Sequence, residues 1–492
     1  MILLLAVIFP LLAALAILLG GCSAKPAWGR SWLLAGAFSH ALLCVLAVRL
    51  GGHAWTVLLF RTEEWLALDR FSELILVLTS VLFLAVALHL FFWLPAEYQL
   101  AKSKTADTGK KPGGDFLPEF IFLPCLLGFL ATMTLAISSA NLGLLWVAIE
   151  ATTLVSAPLI CFHRSPASLE AMWKYLLICS VGIGLALLGT FFLALAAGSH
   201  ASLNIWALAA KANALNPQWC KAAFILILAG YGTKMGLAPF HTWLPDAHSE
   251  APGAVSALLS AALLNCSFLG ILRFTQIMPQ SLQVFCRTLL LVLGFFSLAV
   301  AAFFVIRQHD YKRMLAYSSV EHMGLLALLW SCALKDSTMQ TATMLHLIGH
   351  SLLKMVLFLV AGNILLAYGT RSVTAVNGMF STISRNAFLF VTALLLVCGT
   401  PPSPLFVSEL LLVCELGPWL GGLLLVLLFL VSAGMLSTAL KMSMGTNPLF
   451  TASAEPARIA ETLCVLPALS LLLLLLLGGM SCYWLSRMNL WW

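Results

Sequence analysis

"KMGLAPFHTWLPDAHSEAPGA", Lys234 to Ala254, interrupts a chain built mostly of Leu, Ala and Val. It opens on a lysine and is cut by Pro239, Pro245 and Pro252, with polar residues crowded between them. Proline lacks an amide donor and frees backbone carbonyls. In an apolar surrounding those groups must be met by polar side chains or by water in a lined cavity. The stretch reads as a spanning helix broken at depth, with a lysine just before the break.

Composition supplies the apolar surrounding. The chain has 492 residues, 61% hydrophobic and 9% charged, where soluble domains carry about 25% charged residues. A water-soluble fold would have too little polar surface to cover itself. The expected fold class is an all-α polytopic membrane protein with the lipid bilayer as its surrounding. Fourteen spans are expected, near 1–20, 31–50, 72–95, 117–137, 141–162, 171–197, 221–244, 252–275, 284–306, 314–333, 341–368, 386–412, 418–440 and 460–485. The polar connection "AEYQLAKSKTADTGKKPGGDF", between spans three and four, reads as a solvated loop. The start, "MILLLAVIFPLLAALAILLGGC", lacks a basic n-region and reads as a retained first span, not a cleaved signal peptide.

The net charge of +7 is scattered through short loops, where basic residues act as orientation signals and form no nucleic-acid patch. Lys25, Arg30, Lys102, Lys104, Lys110, Lys111, Lys312, Arg313 and Arg371 are among those on one side. Arg49, Arg61, Arg70, Arg273 and Arg487 are among the fewer on the other. The excess places both termini outside the cytoplasm. The thirteen cysteines form no CxxC or Cys/His cluster. Cys44, Cys179 and Cys398 stand alone in apolar runs and read as small core hydrophobes.

A second break, "GTPPSPLFVSEL", lies in span twelve, five spans after the break "GLAPFHTWLP" in span seven. Each break is then the fourth member of a five-span unit, 116–275 and 284–441, flanked by 1–115 and 442–492. An odd number of spans inverts the second unit. Inverted repeats with broken helices in matching places mark transporters whose ion site lies near the midplane.

A charge at mid-span costs about 2.5–3.5 kcal/mol on insertion scales. Glu150, Lys234, Glu321, His322, His346, His350, Lys354 and Glu409 all accept that cost. His346, His350 and Lys354 recur at i, i+4 and i+8, which lines one helical face in steps of about 6 Å. Such a row suits proton hopping; a polar stripe satisfied by neighbouring helices is the plainer reading. Paired, Glu150 and Lys234 lower each other's burial cost; apart, burial disfavours the lysine's charge. The pair reads as a switch, or as a static salt bridge. Lys174 reads as a relay member or an interface anchor. His241, Asp246, His248 and Glu250 resemble a metal site in composition only, so a wet proton entrance is preferred and no metal is expected.

Three stretches now carry a resemblance. "GTKMGLAPFHTWLPDAHSEAP", "DYKRMLAYSSVEHMG" and "HLIGHSLLKMVLFLVAG" resemble the antiporter-like membrane subunits of respiratory complex I, group 4 membrane-bound hydrogenases and multi-subunit sodium/proton antiporters. The likeness covers about 115 to 445. "SSVEHMG" and "HSLLKM" look most like hydrogenase-4 component F, of the formate hydrogenlyase type. The resemblance implies fourteen spans with two inverted five-helix repeats. It implies that Glu150 matches the family's span-five glutamate, Lys234 its span-seven lysine, His346 or His350 its span-eleven histidine, and Glu409 its span-twelve charge. Many relatives place a lysine in span eight; here "SAALLNCSFLGILRF" puts Asn265 there. Asparagine holds water but stores no charge.

No nucleotide-binding turn, haem motif or iron–sulfur cysteine pattern occurs, so no cofactor is expected on this chain. The expected role is a proton-translocating subunit in the bacterial inner membrane. Its partners would be other membrane subunits of a redox-driven complex and, indirectly, a soluble hydrogenase or iron–sulfur arm. Rival readings are a sodium/proton antiporter subunit, an inorganic-carbon uptake subunit, and a non-pumping scaffold.

Overall fold

Apolar runs close their backbone hydrogen bonds within one segment and fold as helices. A computed structural model describes residues 1–21, 26–49, 65–108, 116–198, 202–445 and 454–479. The chain begins with α1 (Ile2–Gly20), α2 (Pro26–Arg49), α3 (Arg70–Thr108), α4 (Glu119–Ser138), α5 (Leu142–Ile160) and α6 (Pro166–Ala197). A short α7 (Ile205–Ala210) leads to α8 (Pro217–Met235), α9 (Trp243–Glu250) and α10 (Gly253–Leu258). A π-turn, Leu259–Leu263, joins α10 to α11 (Leu264–Ile277). There follow α12 (Gln283–Val305), α13 (Tyr311–Ala333), α14 (Ser337–Tyr368), α15 (Met379–Thr382), α16 (Ser384–Val397), α17 (Pro404–Ser443), α18 (Ala454–Thr462) and α19 (Val465–Gly479).

Among the described residues, eleven helices are long and apolar enough to cross a membrane. Fewer qualify than the fourteen spans expected, and the reasons are local. α8 and α13 carry many polar residues, Lys234 on the first and Lys312, Arg313 and Glu321 on the second. Span twelve is split between α16 and the start of α17. α17 then runs through a non-helical Gly417 into the thirteenth.

Both expected breaks are present. α8 stops at Gly236, whose φ of 82° only glycine adopts freely. Pro245 sits in the first turn of α9, where no amide is missed, and Pro252 precedes α10. The freed amide of Ala238 donates to Ser297 Oγ (2.9 Å). In span twelve, α16 ends before Gly399 at φ 69°. α17 restarts under Ser403, whose hydroxyl accepts from the Leu405 amide (3.2 Å).

Two compact units form. The first contains 1–91, 115–236 and 262–286; the second contains 92–114, 237–261 and 287–492. Two of their five limits fall at Gly236 and within the π-turn. Within the first, α6 and α8 pack closely through small residues. A side chain on Gly182 would strike Thr233, and one on Gly230 would strike Ala186. Small residues let helices approach where no solvent drives them together. Within the second, α14 is the hub: it packs on α10, α13, α16 and α17 and is almost wholly buried. Gly253 of α10 lies against the Phe358 carbonyl and Gly362 of α14.

Three expectations change. The solvated loop does not begin at Ala96, because α3 continues to Thr108. Ala, Glu, Gln, Leu and Lys dominate that segment, all good helix formers, and no glycine occurs before Gly109. Arg273 is not a loop charge. It is fully buried, and its guanidinium donates to the carbonyls of Ser139 (2.6 Å) and Ile137 (2.7 Å), closing the C-terminus of α4. Lys312 is also buried, and its ammonium donates to the carbonyls of Ser249 (3.0 Å) and Ala251 (2.5 Å) at the end of α9. Helix C-termini attract cations, and a lone helix end inside the fold recruits them. One charge leaves each side of the orientation count, so its excess is unchanged. Lys25, Arg61, Lys110, Lys111, Arg487, the side chains of Lys102 and Lys104, and positions 480–485 of the last expected span lie outside the described residues.

Candidate functional site

In the first unit the chemistry gathers around Lys234. α8 carries it to the turn before the break, and the close α6–α8 packing brings it to the hydroxyls of α5 and α6. Lys234 is fully buried. Its Nζ donates to Thr153 Oγ1 (2.8 Å) and to the Tyr175 hydroxyl (2.6 Å), and lies 4.5 Å from the Tyr175 ring centroid. Thr153 Oγ1 in turn donates toward Glu150 Oε2 (3.4 Å), and Ser180 Oγ donates to Glu150 Oε1 (2.7 Å). Tyr175 shares a 2.6 Å bond with Ser156 Oγ.

The expected Glu150–Lys234 pair therefore exists with a hydroxyl between its members. Among the described residues no ion pair joins them directly. Thr153 accepts from the ammonium and shares its one hydrogen between the carboxylate (3.4 Å) and the Ile149 carbonyl (3.5 Å); turned to the carboxylate, it gives the order a proton wire requires. The sequence reading missed Thr153, Tyr175, Ser156 and Ser180. One signal was available: Thr153 follows Glu150 by three positions, one turn along the same face.

Asn265 is fully buried on α11, directly after the π-turn. Its neighbour Cys266 lies within electrostatic range of Lys234, so span eight borders the lysine. π-turns frequently mark functional positions. Lys174 stands elsewhere. It is 47% exposed and pairs with Glu170 (2.7 Å) one turn before it.

In the second unit the stripe of α14 is buried as expected: His346, His350 and Lys354 have no exposure. Its contacts run sideways. His346 Nε2 meets His322 Nδ1 of α13 (3.2 Å), and His346 Nδ1 meets Ser408 Oγ of α17 (2.9 Å). The His350 ring lies 5.1 Å from the His322 ring. Lys354 donates to the Leu315 carbonyl of α13 (3.0 Å). Glu321 lies within electrostatic range of both Lys354 and Glu409. The Glu409 carboxylate rests against Gly399, where any side chain would collide with it. That ties the acid to the break of span twelve.

The cluster after the first break disperses by function. Asp246 pairs with Arg313 (2.8 Å) and Glu250 with Arg371 (2.5 Å). The His248 ring stacks on Phe358 at 4.9 Å, and His241 faces Tyr317 at 6.1 Å between centroids. Among the described residues no group of three His, Cys, Asp or Glu side chains could hold a metal ion. Asp310 caps α13 through the Lys312 and Arg313 amides (2.8 and 3.2 Å) and accepts from Ser249 Oγ (2.5 Å). Asp310, Lys312, Arg371 and Glu250 thus balance one another around the end of α9. Cys44 and Cys179 are buried free thiols, and Cys398 is half-buried.

Residues 139–437 match the family described as NADH:quinone oxidoreductase/Mrp antiporter, transmembrane. A hydrogenase-4 component F homolog of Methylacidiphilum infernorum is 38% identical over 282 residues, which cover 56% of this chain and 58% of that protein. NADH-quinone oxidoreductase subunit N of Coxiella burnetii is 28% identical, over 70% of this chain and 67% of that one. The chain thus spans little more than half the length of its component F relative. Among solved structures, a chain of the membrane-bound sulfane sulfur reductase, an archaeal respiratory membrane complex, superposes with a TM-score of 0.82 at 19% identity, covering 99% of this chain and 96% of that one. A chain of respiratory complex I from Thermus thermophilus gives 0.71 at 22% identity, covering 98% of each. These likenesses establish a shared fold.

Proposed function

This chain belongs to the NADH:quinone oxidoreductase/Mrp antiporter transmembrane family, and from that premise we propose that it is a proton-translocating subunit of a multi-subunit redox complex. The complex is of the membrane-bound hydrogenase or formate hydrogenlyase kind. The observation that carries this reading is the contact chain Lys234–Thr153–Glu150. A buried ammonium held by neutral hydroxyls, one hydroxyl from a carboxylate, changes its charge when that carboxylate or its field moves. Partner subunits would supply the push through electron transfer.

The proposed relay comprises Glu150, Thr153, Lys234 and Tyr175 in the first unit, with Asn265 holding water beside them. In the second unit it comprises Glu321, His322, His346, His350, Lys354 and Glu409. His241 serves as an entrance residue, and Lys174, paired on an exposed face, serves as an anchor. The protein is placed in the bacterial inner membrane with both termini periplasmic; a reporter fused after Trp492 that works only in the cytoplasm refutes that orientation.

Lys234→Ala should leave the complex assembled and abolish proton translocation in proteoliposomes. Native translocation by an assembled variant overturns the proposal. Loss of assembly instead favours the scaffold reading, and sodium-dependent flux in the native protein favours the sodium/proton antiporter reading.

A further inference from the structure

The His322–His346 pair has a third member that settles its direction. Ser408 lies on α17, one turn past the break of span twelve. Its hydroxyl carries one hydrogen, and the Leu405 carbonyl stands 2.9 Å away to receive it. The same oxygen lies 2.9 Å from His346 Nδ1. With its hydrogen committed to Leu405, Ser408 Oγ can only accept from the imidazole. His346 then carries its proton on Nδ1 and presents a lone pair at Nε2. His322 Nδ1, 3.2 Å from that lone pair, must be the donor. These tautomers are assigned from the hydrogen-bond network. The contact is tightly held: a side chain on Gly349 of α14 would press on Leu405 and Pro404, so α14 and the restart of α17 are packed face to face. Ser408 and both imidazoles are fully or almost fully buried.

We infer that Ser408 is a positioning residue that holds His346 as the Nδ1–H tautomer and so gives the His322–His346 pair one direction of proton passage. His322 Nε2 is the receiving atom. It is buried and makes no hydrogen bond of normal geometry among the described residues, and the Val397 carbonyl faces the ring, ready to accept from a proton that binds there. A proton bound there releases the Nδ1 proton of His322 to His346 Nε2. His346 then gives its own Nδ1 proton to Ser408 Oγ, while the serine's original hydrogen, turned away from Leu405, passes to a water molecule that carries it onward. Each imidazole ends neutral with its proton on Nε2, and one proton has crossed. A second proton cannot follow until both rings return to the Nδ1–H form. The Leu405–Ser408 bond favours that return, because the serine hydrogen turned back to Leu405 leaves only an acceptor for His346. The pair behaves as a one-proton step.

This inference rests on the proton-transport reading for its role, but its structural content is tested without transport. The probe is 15N magnetic resonance of ring-labelled histidine in the full chain, purified with the subunits it retains and placed in bilayers. The His346 signal is assigned by its loss in His346→Gln. The native protein should show His346 protonated on Nδ1. Ser408→Thr keeps a hydroxyl and should keep that form. Ser408→Ala should move the tautomer ratio about fivefold toward Nε2–H, the worth of one neutral hydrogen bond. If Ser408→Ala does not fold, Ser408→Cys offers only a weak sulfur acceptor and should show the same shift. A native His346 protonated on Nε2, or an unchanged ratio in Ser408→Ala or Ser408→Cys, overturns the inference. Absence of proton flux in the native complex, with the tautomer as assigned, would instead overturn the transport reading and leave the geometry standing.

Discussion

Replacing Thr153 by valine removes one hydroxyl and nothing charged. Three contacts go with it: the 2.8 Å bond from Lys234, the 3.4 Å bond to Glu150 and a 3.5 Å bond to the Ile149 carbonyl of its own helix. Lys234 keeps Tyr175 at 2.6 Å, and Glu150 keeps Ser180 at 2.7 Å. Both charged residues therefore remain held, and only the bridge between them is lost. A hydrogen bond to a charged group is worth about 1.5–3 kcal/mol. Applied to a proton step that must cross Thr153, that range is about a ten- to hundredfold fall in flux. The same loss weakens the fold by a comparable amount, so flux must be normalised to assembled complex. The assay is proton flux in proteoliposomes for native protein, Thr153→Val and Thr153→Ser. Serine restores the donor and acceptor at the same position and should restore flux. If Thr153→Val matches the native protein per assembled complex, protons do not pass from Lys234 to Glu150 through this hydroxyl, and the bridged pair is only structural.

Two further perturbations test the buried cations that the fold recruits to helix ends. Arg273→Ala opens the C-terminus of α4 and should lower stability by about 3 kcal/mol, with Arg273→Lys recovering only part because a compact ammonium does not reproduce the planar, pre-organised spread of the guanidinium donors; an unchanged thermal unfolding midpoint in detergent for Arg273→Ala refutes the role. Lys312→Met should destabilise by about 2 kcal/mol, whereas Asp246→Asn, whose partner Arg313 is 45% exposed, should change stability by less than about 1 kcal/mol. The reverse order in chemical denaturation would show that the end of α9 does not depend on Lys312.

Much of the architecture was legible in the residues. The apolar runs, the two proline breaks and the intramembrane charges announced themselves because each is a local quantity. The cost of a charge at depth belongs to one side chain, and the loss of an amide donor belongs to one proline. Thus Lys234, His346, His350 and Glu409 were identified from their positions alone. The loop after Ala96 was misread because its lysines and aspartate suggested water, while its helix formers carried α3 onward to Thr108. Arg273 and Lys312 were misread because their partners are carbonyls, which no side-chain pattern reveals.

By itself, then, the sequence determined the class of fold, the places where helices break, and the side chains whose charge must be compensated. Tertiary structure alone decided what compensates them. Thr153 and Lys234 are 81 positions apart, and His346 and Ser408 are 62 apart. Serines and threonines are ordinary residues along any membrane helix, usually bonded to their own backbone. They become partners of a buried titratable group only when packing sets a hydroxyl within about 3 Å of it. That distance depends on how α5, α6 and α8 pack, and separately on how α13, α14 and α17 pack. Burial energy is written residue by residue, but the direction of a hydrogen bond is a property of two atoms, and only the folded chain brings them together.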